Sequence, residues 1–185
     1  MAVINAGFTC FAKDGYQKTA MSEIAKAAGV SKAALFHYFG TKRELYFYLF
    51  RFSCGKISAS IPQGSADFFE CIDIGTKTKL AVMEKYPGMY DFLVSVVKST
   101  DADMEELIRE ANARAISEGI KTLFANVDWS RFKPDISQKD AVAMVNWVSE
   151  GCLRENASKP RDVVLLDIER YLSLLRRALY REEYL

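Results

Sequence analysis

The 185-residue sequence predicts an all-α protein: an N-terminal three-helix head containing a helix-turn-helix, followed by a larger helical body. Three observations predict it. Apolar residues recur at spacings of three and four through most of the chain, the helical period. Residues 19–45 carry start and stop signals for two short helices and a third in quick succession. Charge is divided: residues 1–56 hold eight Lys or Arg and three acids, a net of +5, while the remainder holds 17 basic and 21 acidic side chains, a net of −4. A basic head on an acidic body points to a nucleic-acid partner for the head.

The turn comes first. Met21, Ile24, Ala25 and Ala28 form the apolar stripe of a short helix. Thr19 is its expected N-cap, and Gly29 supplies the left-handed residue that ends it. Val30 is expected to plug the angle between the helices, and Ser31 to cap the next one. Two helices joined by three or four residues including Gly make a helix-turn-helix.

The next helix, Lys32 to Phe39, is two-sided. Leu35 and Phe39 lie four apart and face inward; Ala33 and His37 face outward, with Ala34 and Phe36 flanking them. Small outward residues let a backbone approach the floor of a DNA major groove. Ala33 is placed to touch a thymine methyl and Lys32 to donate to guanine O6 or N7. Thr41 to Glu44 then spell a capping box. Lys42, in the first turn beside open N–H groups, suits a phosphate.

Beyond the head, a fourth helix is expected from Lys42 to about Ala59, broken by Pro62-Gln63-Gly64-Ser65. Helices from about Ala66 to Tyr86 and over 89–99 follow. A long one is expected from Asp101 to about Val127, with Leu107, Ala111, Ala115 and Ile116 inward. Asp128 to Asp135 reads as a loop. Ser137, with Asp140 three residues on, caps a helix carrying Ala141, Val142, Val145, Val148 and Cys152. The last helix shows a continuous stripe of Val164, Ile168, Tyr171, Leu172, Leu175 and Leu179.

Several function classes are excluded. No run approaches the ~18 apolar residues of a membrane span, and residues 1–20 lack a secretory signal, so the cytoplasm is the expected compartment and no membrane partner is expected. Cys10, Cys54, Cys71 and Cys152 have neither zinc-ligand nor disulfide spacing and read as buried small hydrophobes. His37 is the only histidine and lies in the DNA-reading helix, which removes a histidine metal sensor or catalytic centre from the body. No P-loop, dinucleotide fingerprint or nucleophile–base set is present, and pairs such as Glu105-Glu106 and Glu182-Glu183 fall on solvated faces. The chain is read as a non-enzyme with no cofactor and no metal.

Residues 1–50 resemble the DNA-binding domain of the TetR family of transcriptional regulators. The resemblance is carried by Phe11, Gly15-Tyr16, Thr19, Ile24-Ala25, Ala28-Gly29-Val30-Ser31, Leu35-Phe36, Tyr38-Phe39, Lys42 and Leu45. It implies a DNA-binding domain over 1–50 and an effector-binding and dimerisation domain over 51–185. Base contacts fall to Lys32, Ala33 and Ala34, with His37 beside them, and phosphate contacts to Thr19, Ser31, Tyr38 and Lys42. Ala34 and Phe36 stand where the family often has Thr and Tyr. Both lack that hydroxyl, and Phe36 is left with apolar contacts to sugars or a thymine methyl.

The resemblance also implies a homodimer through the last two helices, and Leu165, Leu166, Leu174 and Leu175 widen the final stripe beyond one face. A dimer matches a palindromic operator in double-stranded DNA. The family default is repression, released by an effector. Phe68, Phe69, Ile72, Met83, Tyr86, Met89, Tyr90, Phe92, Phe124 and Trp147 are the candidate lining of a pocket for a small, mainly hydrophobic effector. No charged constellation in the body singles out an acidic, basic or metal effector. The alternative is a DNA-binding protein with no small-molecule effector, controlled by a partner protein or by abundance.

Overall fold

A computed structural model describes residues 1–98, 119–156 and 159–185. The head is α1 (Ala2–Lys18), α2 (Met21–Ala28) and α3 (Lys32–Phe39). The long α4 (Lys42–Ser58) leads into the body, α5 (Phe68–Glu84), α6 (Met89–Lys98), α7 (Gln138–Glu155) and α8 (Arg161–Leu179). Residues 119–123 are helical as well. Among the described residues there is no strand, only an isolated bridge between Phe132 and Tyr180. Most of the long helix expected between Asp101 and Val127, with Leu107, Ala111, Ala115 and Ile116, lies outside the described residues.

Local signals set the helix ends. Gly29 is left-handed (φ 68°, ψ 28°), and the Val30 N–H reaches back to the Ala25 carbonyl at 3.0 Å, closing α2 as such a cap should. Ser31 Oγ accepts from Ala34 N at 3.0 Å. Thr41 and Glu44 complete their capping box, with 3.2 Å and 2.7 Å bonds. Ser137 and Asp140 form another. Asp67 caps α5 by accepting from the N–H groups of Phe69 and Glu70.

Two expectations about the turn are corrected. The N-cap of α2 is Ala20, whose N–H is satisfied by the Glu23 carboxylate at 3.0 Å, not Thr19. Val30 is an exposed residue and plugs nothing.

The described residues form two cores. The first joins the head to α4 and α6: Phe8, Phe11, Ile24, Leu35, Leu45 and Leu49 pack with Met89 and Phe92, all at most 1 % exposed. The Phe92 ring lies 5.2 Å from Phe8 and 5.1 Å from Tyr46. The head core thus continues past residue 50 into α6. The second core is aromatic. Phe68 sits within 5.5 Å of the rings of Phe124, Trp129 and Phe132, and Tyr180 closes on Phe132 at 4.8 Å. Segment 128–135, expected as a plain loop, contains a short 3₁₀ turn at Trp129–Arg131 and drives two of these rings into the body.

Candidate functional site

α3 stands on the head with one face in the core and the rest in solvent. Leu35 is 1 % exposed, and Phe39 is half-buried. Lys32, Ala33, Phe36, His37 and Tyr38 are exposed, and Ala34 is half-buried at the edge. Tyr38 has 79 % of its surface open and its ring edge-on to His37 at 5.4 Å. The Lys32 ammonium lies 5.7 Å from the centroid of the Phe36 ring, a cation–π contact that Tyr would have made with a hydroxyl added. Ser31 uses its oxygen as the cap acceptor, so its own hydroxyl proton is still a donor for a phosphate.

Lys42 is half-buried at the start of α4. Its ammonium donates to the Gln17 carbonyl at 3.1 Å and lies 4.7 Å from the Tyr16 ring centroid. The first turn of α4 and the end of α1 are therefore pinned together by the cation expected on phosphate. Thr19 is placed otherwise. It is 1 % exposed, and its hydroxyl donates to the Gly15 carbonyl at 2.7 Å and is within 3.2 Å of Cys10 O. A buried hydroxyl already spent on the kink at Gly15 (φ 73°) has no phosphate to meet, so Thr19 leaves the contact set.

A second feature lies in the body, a cavity of about 460 Å³ between α4, α5, α6, α7 and residues 119–124. Three of the ten candidate lining residues, Ile72, Met83 and Phe124, are on its wall. Phe68 and Phe69 belong to the aromatic core instead. Met89 and Phe92 belong to the head core, and Tyr86 packs against it with its ring 5.2 Å from Phe52. Tyr90 lies in a separate surface groove under the Arg161 guanidinium. Trp147 is 69 % exposed on the outside of α7. Composition cannot separate an aromatic that fills a core from one that lines a void.

The wall also contains residues not anticipated: Cys54 and Ile57 from α4, Gly75, Thr76 and Lys79 from α5, and Leu93, Val96 and Val97 from α6. A signal for some of them is in the sequence. Ile72, Gly75, Thr76, Lys79 and Met83 fall at i, i+3, i+4, i+7 and i+11, one face of α5, and a lysine inside such a stripe is anomalous. Burial raises the pKa of all four thiols, that of Cys54 to about 11, which keeps them protonated and unreactive. Among the described residues there is no metal-binding cluster of His, Cys, Asp or Glu and no helix long and apolar enough to cross a membrane.

A basic three-helix head that carries a helix-turn-helix and leaves most of α3 in solvent has the build of a DNA-binding domain. Comparison with known proteins agrees. Residues 3–49 match the profile of bacterial regulatory proteins of the tetR family. The HTH-type transcriptional repressor AcnR of Corynebacterium efficiens is 23 % identical over 139 residues, 72 % of this chain and 69 % of that protein. The fold is shared with the fatty acid degradation regulator FadR of Bacillus halodurans, at TM-score 0.71 and 19 % identity over 95 % of this chain and 96 % of that one. It is shared too with FadR of Bacillus subtilis solved with stearoyl-CoA, at TM-score 0.66 and 17 % identity over 95 % and 96 %. Residues 3–49 therefore match a tetR-type DNA-binding domain, and the chain as a whole shares its fold with these solved regulators.

Proposed function

We propose that this protein is a cytoplasmic, homodimeric repressor. It docks Lys32 to Phe39 in successive major grooves of a palindromic operator and is released by a small, mainly hydrophobic effector held in the body cavity. Lys32, Ala33 and Ala34 reach base edges, with His37 and Phe36 beside them, and Ser31, Tyr38 and Lys42 hold the backbone. Residues 1–50 supply the DNA-reading surface, and 51–185 the effector and dimer surfaces.

The observation that carries this reading is the double role of α6. Met89 and Phe92 are sealed into the head core against Phe8 and Phe11, while Leu93 and Val97, on the same ten-residue helix, line the cavity. A ligand that displaces α6 necessarily strains the head packing, so occupancy and head position are linked through one rigid element. The repressor role is supported by AcnR, and an apolar effector by the stearoyl-CoA bound to FadR of Bacillus subtilis. The cavity's size falls within the ligand-pocket range of roughly 300–1,000 Å³, which weighs against a regulator with no effector. Dimerisation is supported by the apolar side chains left open on the last two helices, Trp147, Leu166 and Leu174.

The test is fluorescence anisotropy with the DNA upstream of this protein's own gene against a scrambled duplex, over a salt series. Tight binding to the upstream piece alone, at two subunits or a multiple per site, is expected. Ala33→Glu places a carboxylate at the groove floor and is expected to abolish that binding with the head still folded. No binding to either duplex at low salt would overturn the DNA-reading role of α3.

A further inference from the structure

We infer that the effector is an amphipathic acid, an apolar chain ending in a single anionic group that pairs with Lys79 inside the cavity. The inference deepens the proposed effector site and rests on that reading.

Lys79 lies on the cavity face of α5 between Thr76 and Met83. Lys79 is an exposed residue whose opening is on the cavity wall, and the protein around it partly desolvates the ammonium. Among the described residues it has no hydrogen-bond or ion-pair partner. A lysine so placed loses hydration without recovering it, and its pKa is lowered by desolvation alone. Most surface lysines avoid this by extending to solvent along their apolar stems. A desolvated cation with no carboxylate paired to it among the described residues is a site short of one negative charge.

The rest of the wall narrows the ligand. The described lining is dominated by aliphatic and aromatic side chains from four helices, including Ile57, Ile72, Leu93 and Phe124. Among the described lining residues its other charges are Glu150 and Arg154, one turn apart on α7, which offset each other and leave the described wall with one positive charge in excess. An uncharged hydrocarbon would leave Lys79 unpaired. A cationic amphiphile would add a second like charge to a low-dielectric space. A carboxylate on an apolar chain satisfies both the ammonium and the walls, and a charge-assisted hydrogen bond in such a space is among the stronger polar contacts.

The test is titration calorimetry at pH 7 with three probes of one chain length: decanoate, 1-decanol and decyltrimethylammonium. Wild-type protein is expected to bind decanoate at least about tenfold tighter than decanol, the ratio that ~1.4 kcal/mol gives, and the cation most weakly. Lys79→Met keeps the length and apolar stem and is expected to lose that preference; Lys79→Arg is expected to retain it. Equal binding of decanoate and decanol, tighter binding of the cation, or a preference that survives Lys79→Met would overturn the inference and leave the hydrophobic-effector reading standing. Failure of all three probes to bind a protein that still holds its operator would overturn both.

Discussion

The Asp67 carboxylate meets the Arg176 guanidinium at 2.8 Å across 109 residues of sequence. The same oxygen takes Arg131 at 3.1 Å, while the other accepts from the first open N–H groups of α5. Tyr180 adds its hydroxyl oxygen as acceptor for Phe68 N at 3.0 Å. One nearly buried carboxylate therefore caps α5 and ties it to the 3₁₀ turn and to α8.

Asp67→Ala removes the cap and leaves two arginines facing each other without an anion. The expected loss is about 2–4 kcal/mol, the cap supplying roughly 1 of it and the broken, partly buried ion pairs the rest. Urea unfolding followed by circular dichroism measures it as a lower midpoint at unchanged slope. Asp67→Asn, which keeps an acceptor for the cap, is expected to lose less. A midpoint unmoved in both variants would mean that the pairs are dispensable.

Thr19 offers a direct test of its reassignment. Thr19→Val keeps the shape but removes the hydroxyl bound to the Gly15 carbonyl. The head is expected to lose about 1–2 kcal/mol, with the salt dependence of DNA binding unchanged. A salt slope lower by about 1 would return Thr19 to the phosphate contacts.

The head was legible because its signals are local. Gly29, Ser31 and the Thr41–Glu44 pair each act within four residues, and each is found acting as its chemistry requires. Thr19 was misread because an N-cap and a buried hydroxyl differ only in which way the backbone turns at Gly15, one residue's φ. The cavity was legible only in part. Phe68, Met89 and Phe92 looked like pocket wall but pack at 0 % exposure, since periodicity reports which face is apolar and not whether the opposite side is filled. Trp147 went the other way, onto an open face of α7. Lys79 was overlooked because it reads like its solvated neighbour Lys77, two residues before it; its isolation appears only once the surrounding helices are in place.

Lys42 is held 3.1 Å from the Gln17 carbonyl and over the Tyr16 ring, poised at the junction of α1 and α4. Lys42→Ala is expected to weaken binding to all duplexes alike and to reduce the slope of log K against log salt by about 1. A changed sequence preference at constant slope would show that the lysine reads bases instead.

The apolar residues left open on the last two helices are the proposed surface for a second copy. Leu166 is 64 % exposed and Leu174 47 % on α8, and Trp147 69 % on α7. Leu174→Arg is expected to convert a sedimenting dimer to a monomer and to weaken operator binding by lowering the concentration of paired heads, with helical content unchanged. A dimer that persists in Leu166→Arg, Leu174→Arg and Trp147→Lys alike would move the interface elsewhere.

Lys79 makes a prediction about the ligand-free protein as well. Its folded pKa is depressed below the ordinary 10.5, so the unfolded chain binds the extra proton between the two values and stability rises with pH across that window. Below it the ammonium is charged in both states, and the full desolvation cost is carried by the folded one. Lys79→Met removes that cost. At neutral pH the variant is expected to melt a few degrees higher than wild type, since 1 kcal/mol shifts Tm by about 2–4 °C in a chain of this size. The advantage is expected to shrink as pH rises toward 10.5. The other titratable groups on the described wall, Cys54 on α4 and Glu150 and Arg154 on α7, are present in both proteins and cancel in the difference. Saturating decanoate is expected to reverse the order, raising the wild-type Tm above that of Lys79→Met, because the anion then supplies what the cavity lacks. Scanning calorimetry at pH 7 and pH 9, with and without decanoate, measures all four cases. A variant no more stable than wild type at pH 7 would show that the ammonium is hydrated after all and is not waiting for a counter-ion.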